Sequence, residues 1–432
     1  MRAAGRLAAA LLALACAPSW AAPVDPEAYG YPYEDRYEAT IVGTPPPLRA
    51  DFGRRPDWRV FRLDVFPGRQ ISDADYVWYL DDLRYLLMYQ DGPAPLAFVI
   101  AGTGSAFHGA RMNIVCRTLY AAGFHVVALT NPTHMEFIAT ASEHSVPGLV
   151  SEDAKDLYRV MKLAWETQLR DRLEVTGFHL AGYSLGGTLA GWIGEMDSRE
   201  RYFDFERVLM INPAVNLYRS AAILDGFLEG ETSADVKATW ERLVAGLART
   251  FREREGIEFS EEALITAFRD DPPPREDMKR LIGVAFRISA QSMIVSADRM
   301  TRFGFVIPPE AEVRITDNVD AAFLVSARTG LTTYFDQMLL PFHQGLQPGL
   351  TREQAIAEAG LAPIREWLET DRRVGVVHNV DDIILAEGEI EWLEEVFGDR
   401  ARIWPRGGHC GNLAYRENVE YVQAFMRGAA GR

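Results

Sequence analysis

The sequence predicts an α/β protein: a mostly parallel sheet with helices on both faces, interrupted by a mainly helical insertion. Three observations carry this expectation. Between residues 94 and 216, short apolar runs closed by glycine or polar residues alternate with longer segments of helical pattern. The alternation stops after 216 and resumes at 373. At its centre, "LAGYSLGGTLAG" (180–191) packs four glycines around one serine where a strand hands over to a helix.

The elements follow in order. Residues 23–56, rich in Pro, Tyr and charge, read as an extended lead-in rather than a packed unit. "WRVFRLDVF" (58–66) alternates apolar and polar residues as a half-buried strand does. "LAFVIA" (96–101) is a buried strand, followed by a helix over 108–122 and a second buried strand, "FHVVALT" (124–130). A helix over 151–169 starts with Ser151 as its cap and acids in its first turn. "VTGFHLAGY" (175–183) is a strand, a helix begins near 185, and "ERVLMIN" (206–212) is the next strand. Residues 216–372 read as helices, among them 233–255 and 351–360. "RVGVVHN" (373–379), a helix at 386–397, "ARIWP" (401–405) and a helix at 413–427 complete the pattern. The expected organisation is therefore an N-terminal signal (1–22), the lead-in, a first core part (57–215), the helical insertion (216–372) and a second core part (373–432).

With 432 residues, 48% of them hydrophobic, the chain is long enough for one large domain carrying an insertion. Its net charge of −16, with Lys155, Lys162, Lys237 and Lys279 as the only lysines, argues against a nucleic-acid footprint and against attraction to anionic lipid. Arg2 and Arg6, the apolar run 7–17 and the small residues before Pro23 read as an export signal, which predicts a periplasmic or secreted protein. The alternative is a lipoprotein anchored through Cys16. No later segment reaches the roughly 18 apolar residues that a membrane helix requires. Cys116 and Cys410 are expected as two separate buried thiols rather than a bridge.

Gly182-Tyr183-Ser184-Leu185-Gly186 fits G-x-S-x-G. A serine in a sharp turn between strand and helix takes strained backbone angles, and side chains at the flanking positions would clash with neighbouring elements. A serine hydroxyl needs a base, and the base an orienting acid. Of eight histidines, His409 follows the last strand in "WPRGGHCGNL", where Gly407 and Gly408 let the loop turn back, and it is the candidate base. His125 and His179 fall within strands and read as buried neighbours. For the acid, "VVHNVDDIIL" offers Asp382, with Asp381 as the alternative; neighbouring side chains on an extended path point opposite ways, so only one faces His409. Three ligands from one short segment with no fourth candidate make no metal site of His378 and these carboxylates. An oxyanion would be met by the backbone N–H groups of Leu185 and of Thr103, with Gly104 as the alternative to Thr103. Tyr183 and His134 are the candidates for substrate contact.

"GYSLGG", "AGTGS", "NVDDII" and "GGHCGN", with the order Ser…Asp…His, resemble the α/β-hydrolase superfamily. The resemblance covers about 180 residues, 94–216 and 373–428. It departs from the commoner pattern at Ala101, where a histidine often precedes the glycine, and at Asn379, where glycine is usual. It implies a two-step acyl transfer through Ser184, with no metal or organic cofactor and with a small-molecule acyl substrate. It also implies that the insertion is a cap. Trp240, Phe251, Phe286, Met293, Phe305, Phe323, Phe335, Met338 and Phe342 of that cap would either line an apolar acyl pocket or form the cap's own core. Ester hydrolysis is the expected reaction; amide or peptide hydrolysis by the same triad, and a non-catalytic secreted binding protein on this fold, are the competing expectations.

Overall fold

The computed structural model describes residues 24–429 apart from 55, 70–79, 232–233, 240, 243–244, 246–273 and 312–319. The signal segment with Cys16, Trp240, Phe251 and most of the helix expected at 233–255 lie outside the described residues.

Eight strands form one sheet: β1 (Trp58–Leu63), β2 (Leu83–Met88), β3 (Ala94–Ile100), β4 (His125–Leu129), β5 (Val175–Tyr183), β6 (Arg207–Ile211), β7 (Val374–Asn379) and β8 (Ala401–Trp404). Their order is β1-β2-β4-β3-β5-β6-β7-β8. β2 runs antiparallel to both β1 and β4, and β3 to β8 are mutually parallel. β2 is the strand that sequence pattern did not anticipate. "LRYLLM" is buried at nearly every position, so it shows no alternation, and a short apolar run of this kind reads equally well as part of a helix.

The helices used below are α1 (Arg36–Val42), α2 (Ala110–Ala121), α3 (Met135–Thr140), α4 (Val150–Ala164), α5 (Leu185–Glu200), α6 (Leu217–Gly226), α7 (Arg275–Thr301), α8 (Glu389–Phe397) and α9 (Arg416–Met426). Both faces of the sheet are covered. Leu96, Phe98 and Ile100 of β3 join one core with Leu157 and Met161 of α4, Leu189 and Ile193 of α5, and Leu393 of α8. The alternate residues Ala97 and Val99 join a second core with Val115 and Leu119 of α2 and Val422 and Phe425 of α9. Successive side chains point to opposite faces, so strands covered twice read as continuous apolar runs.

Two local readings change. The cap of α4 lies two residues earlier than expected, at Leu149 instead of Ser151, and makes no side-chain hydrogen bond. Asp153 reaches back instead to the Gly148 N–H at 2.8 Å, and the Ser151 hydroxyl donates to Glu358 Oε2 at 2.8 Å. The lead-in is packed rather than trailing. Asp35 caps α1 by accepting the N–H groups of Tyr37 and Glu38, each at 2.9 Å. Tyr29 and Tyr31 are each 1% exposed. Tyr29 stacks on Trp404 at 5.2 Å between ring centroids and meets Tyr415 edge-on at 5.3 Å. Aromatic rings bury large areas per residue, so a tyrosine-rich segment docks without needing strands of its own.

Between β6 and β7 the described residues form helices and add no strand to the sheet. α7 is the spine of this region. Ile282 and Phe286 meet Phe227 and Ile384 on one side, and further along Met293 and Ile294 meet Tyr334 and Met338. Asp225 at the end of α6 ties the region together, accepting the N–H groups of Leu331 (3.0 Å) and Thr332 (2.9 Å) and pairing with Arg287 of α7 at 3.0 Å. Among the described residues, no helix is long and apolar enough to cross a membrane.

Candidate active site

The turn between β5 and α5 holds Ser184 at φ 56°, ψ −131°, a region that non-glycine residues rarely occupy. Two flanking glycines make the turn possible. A Cβ on Gly182 would sit 2.0 Å from the Gly186 carbonyl oxygen, and one on Gly186 would sit 2.3 Å from the carbonyl oxygen of Ile100. The Ser184 N–H donates to the Ile211 carbonyl at 2.9 Å and its own carbonyl accepts from Gly187 at 2.8 Å, so the elbow is pinned to β6 and to the first turn of α5.

Three loops at the carboxyl ends of the parallel strands converge here. His409 Nε2 lies 2.9 Å from Ser184 Oγ. His409 Nδ1 lies 3.0 and 3.1 Å from the two oxygens of Asp382. Asp382 and His409 are buried, and Ser184 is 8% exposed. The Asp382 carboxylate also accepts from Asn212 Nδ2 at 3.0 Å and from the Ile384 N–H at 3.1 Å. With these donors around it, Nδ1 carries the proton and gives it to Asp382, which leaves Nε2 as the acceptor for the serine hydroxyl.

Burial by itself would lower the His409 pKa and is the largest single influence. The Asp382 carboxylate, as charge and as hydrogen-bond acceptor, outweighs burial, so the imidazole sits well above its ordinary range. For Asp382 the sign reverses. Burial pulls upward, but His409, both as charge and as hydrogen-bond partner, and the Ile384 N–H hold the carboxyl below its ordinary value. Asp381 turns elsewhere. Its Oδ1 accepts the Gly408 N–H at 2.9 Å and its Oδ2 has no partner among the described residues. Burial pushes its pKa up to about 6 despite the N–H groups of Gly408 and Gly407.

The glycine loop after β3 supplies the candidate oxyanion donors. The Gly104 N–H is already given to Thr133 Oγ1 at 2.7 Å, so of the two N–H groups expected on this loop Thr103 remains the candidate. Thr103, Ser184 and Leu185 border the same cavity. Leu185 is the first residue of α5, a position whose N–H has no partner within the helix.

The two residues expected to contact substrate sit elsewhere. Tyr183 is 1% exposed and belongs to the second core, on the face away from the cavity lining, where its ring packs against Gly102. A side chain one residue before the elbow serine points to the opposite face of β5. His134 caps α3, its Nδ1 accepting the Glu136 N–H at 3.2 Å. The neighbouring Thr133 borders the cavity instead. Its hydroxyl donates to Asn131 Oδ1 at 2.6 Å, and Asn131 Nδ2 donates to the Ala101 carbonyl at 2.7 Å, which fixes the glycine loop. Sequence reasoning missed Thr133, Asn131 and Asn212. "NPTH" after a strand end was the available signal for the first two.

The cavity over Ser184 has a volume of ≈ 70 Å³ and an almost wholly apolar lining, including Leu224 of α6, Phe286 and Met293 of α7, and Phe335. Met338 is instead buried in the core of the helical region, with Phe305 and Phe342 packed against it, and Phe323 packs against a separate small cluster. Cys116 and Cys410 are free and buried. Among the described residues, no group of His, Cys, Asp and Glu could hold a metal ion.

No family model matches the sequence, and no curated protein matches it. Solved structures do align with it at low identity. DcsB, solved with a substrate analogue, is 15% identical with a TM-score of 0.43, over 87% of this chain and 100% of that one. A hyperthermophilic esterase from the archaeon Pyrobaculum calidifontis is 16% identical with a TM-score of 0.40, over 86% of this chain and 83% of that one. The thioesterase domain from the curacin biosynthetic pathway is 12% identical with a TM-score of 0.38, over 87% of this chain and 100% of that one. With β3 to β8 parallel, β2 antiparallel between β1 and β4, and the serine, aspartate and histidine following β5, β7 and β8, the chain has the α/β-hydrolase fold.

Proposed function

We propose that this protein is an exported serine hydrolase that cleaves carboxylic esters of small apolar acyl groups. The observation that carries the reading is the unbroken hydrogen-bond chain from Ser184 Oγ through His409 to Asp382, ending beneath an apolar cavity. Ser184 Oγ attacks the ester carbonyl while His409 Nε2 takes its proton. Asp382 holds the Nδ1–H tautomer and stabilises the imidazolium. The N–H groups of Thr103 and Leu185 receive the oxyanion, and His409 returns the proton to the departing alcohol. Water, deprotonated by His409, then hydrolyses the acyl-enzyme. The helices between β6 and β7 act as a cap whose side chains enclose the acyl group. A cavity of ≈ 70 Å³ is about half the ~150 Å³ that encloses a benzene ring, so short acyl chains fit the closed site. Export rests on the leader at 1–22.

The test is fluorophosphonate labelling of the mature protein beside Ser184→Ala and His409→Ala, followed by nitrophenyl esters of increasing chain length. Wild type should label, both variants should not, and their kcat should fall by ~10⁶-fold. Rates should peak at short acyl chains. Absence of labelling in folded wild type, or equal labelling in Ser184→Ala, would overturn the reading. Equal rates from acetate to dodecanoate would remove the apolar pocket from it.

A further inference from the structure

The histidine loop is clamped from an unexpected side, by the N-terminal helix α1. The His409 N–H donates to Thr40 Oγ1 at 2.9 Å, across 369 residues of chain. The Thr40 hydroxyl donates its own hydrogen to the Arg36 carbonyl at 2.7 Å. A threonine hydroxyl has one hydrogen and two lone pairs. With the hydrogen committed to α1, only acceptor capacity faces His409. The loop lies directly against the helix: a Cβ on Gly408 would stand 2.3 Å from the Arg36 carbonyl oxygen, and one on Gly411 would stand 2.1 Å from that of Ala39. Thr44 Oγ1 donates to the Gly411 carbonyl at 3.0 Å, and Arg111 of α2 donates to the Thr40 carbonyl at 3.2 Å. Thr40, the loop and the His409 ring are all buried together.

We infer that Thr40 is a positioning residue for the reaction: by fixing the His409 backbone it sets where the imidazole stands relative to Ser184. The inference rests on the proposed hydrolase activity. It makes α1, and not the sheet alone, a working part of the site. A buried N–H without an acceptor shifts toward another partner or toward water. Here the shift moves a ring whose Nε2 must stay 2.9 Å from Ser184 Oγ. A misplacement of about 1 Å at a reacting group lowers the rate by ~100-fold.

The experiment compares Thr40→Val, which keeps the shape and removes the acceptor, with Thr40→Ser, which keeps the hydroxyl. Three readouts are taken: the fluorophosphonate acylation rate, kcat and KM on a short-chain nitrophenyl ester, and hydrogen–deuterium exchange of the peptide spanning 407–412. For Thr40→Val we expect acylation and kcat ~10- to 100-fold lower, KM within about threefold of wild type, and faster exchange in the loop. Thr40→Ser should stay within about threefold of wild type in all three. A residue that only stabilised the fold would lower Tm while leaving kcat per folded molecule intact. Should Thr40→Val not fold, Thr40→Ala is read out in the same way. Wild-type acylation and exchange in the folded variant, or a serine variant as impaired as valine, would overturn the inference. If wild type itself does not react, the hydrolase reading fails, and the exchange comparison still decides whether Thr40 holds the loop.

Discussion

Two buried imidazoles stand on either side of Asp382, and only one of them reaches the serine. His378, at the end of β7, brings Nδ1 to 3.6 Å from the carboxylate. His409, in the loop after β8, brings Nδ1 to 3.0 Å. Burial is the first influence on both, and it lowers both. At His378 it wins, and the ring is held below its ordinary range. At His409 the carboxylate wins. The difference lies in where the ring protons go. His378 Nδ1 accepts the Asn379 N–H at 3.0 Å, so the proton sits on Nε2 and is given to the Pro213 carbonyl at 3.0 Å. That ring is satisfied as a neutral group and presents a lone pair, not a proton, toward Asp382. His409 has no such internal acceptor role at Nδ1 and gives that proton to the carboxylate. Proximity to an acid is therefore not what makes a base here; the tautomer is.

The largest expected effect breaks this pairing. Asp382→Asn keeps the shape but offers an amide where His409 needs an acceptor, so it favours the wrong tautomer, and kcat should fall by ~10⁴-fold. His378→Leu should change kcat by less than about tenfold while lowering stability by about 1–3 kcal/mol, because the buried Pro213 carbonyl loses its donor. Steady-state kinetics and urea unfolding of the two variants separate the roles. A loss of ~10⁴-fold in the His378 variant, with its fold intact, would mean that both rings serve the reaction.

How much of this was legible in the sequence follows the range of each cause. Ser184 and His409 could be named because their needs are local: glycines flank both, and each follows an apolar strand. The parallel core was legible for the same reason, since strands buried on both faces are continuous apolar runs. Asp381 and Asp382 were not separable beyond a preference, because the choice depends on how the chain turns after β7, where the Asp382 N–H donates to the Asn379 carbonyl at 3.2 Å. Asn212 and Thr40 were illegible. Their partners lie 170 and 369 residues away, and neither sits in a pattern of its own. Tyr183 shows the opposite error, since a motif position suggested a role that strand alternation denies it.

The second effect is on pH. A protonated His409 cannot take the serine proton, so kcat/KM should rise with pH through the pKa of that ring. The Asp382 carboxylate holds this pKa well above the ordinary imidazole value, despite burial, so the acid limb should lie above about pH 6.5. A pH profile of kcat/KM on a neutral ester checks this. A midpoint at or below 6.5 would mean that burial controls His409 as it controls His378, and the contrast between the two rings would disappear.

The smallest effect concerns the second carboxylate. Asp381 gives one oxygen to the Gly408 N–H and leaves the other without a partner among the described residues, and burial lifts its pKa to about 6. Between its unfolded value near 4 and its folded value near 6, the native state holds a proton that the unfolded chain has released. Stability then falls as pH rises through that window, by up to about 3 kcal/mol for a shift of roughly two units, and stays lower above it. Asp381→Asn keeps an acceptor for Gly408 but has nothing to titrate. Urea unfolding of wild type and variant at pH 4.5 and 7.5 should therefore show wild type losing ground to the variant as pH rises. Parallel behaviour at the two pH values would mean that the unpaired oxygen is hydrated in solution. Asp381 would then differ from Asp382 only in direction, not in the electrostatic cost of its place.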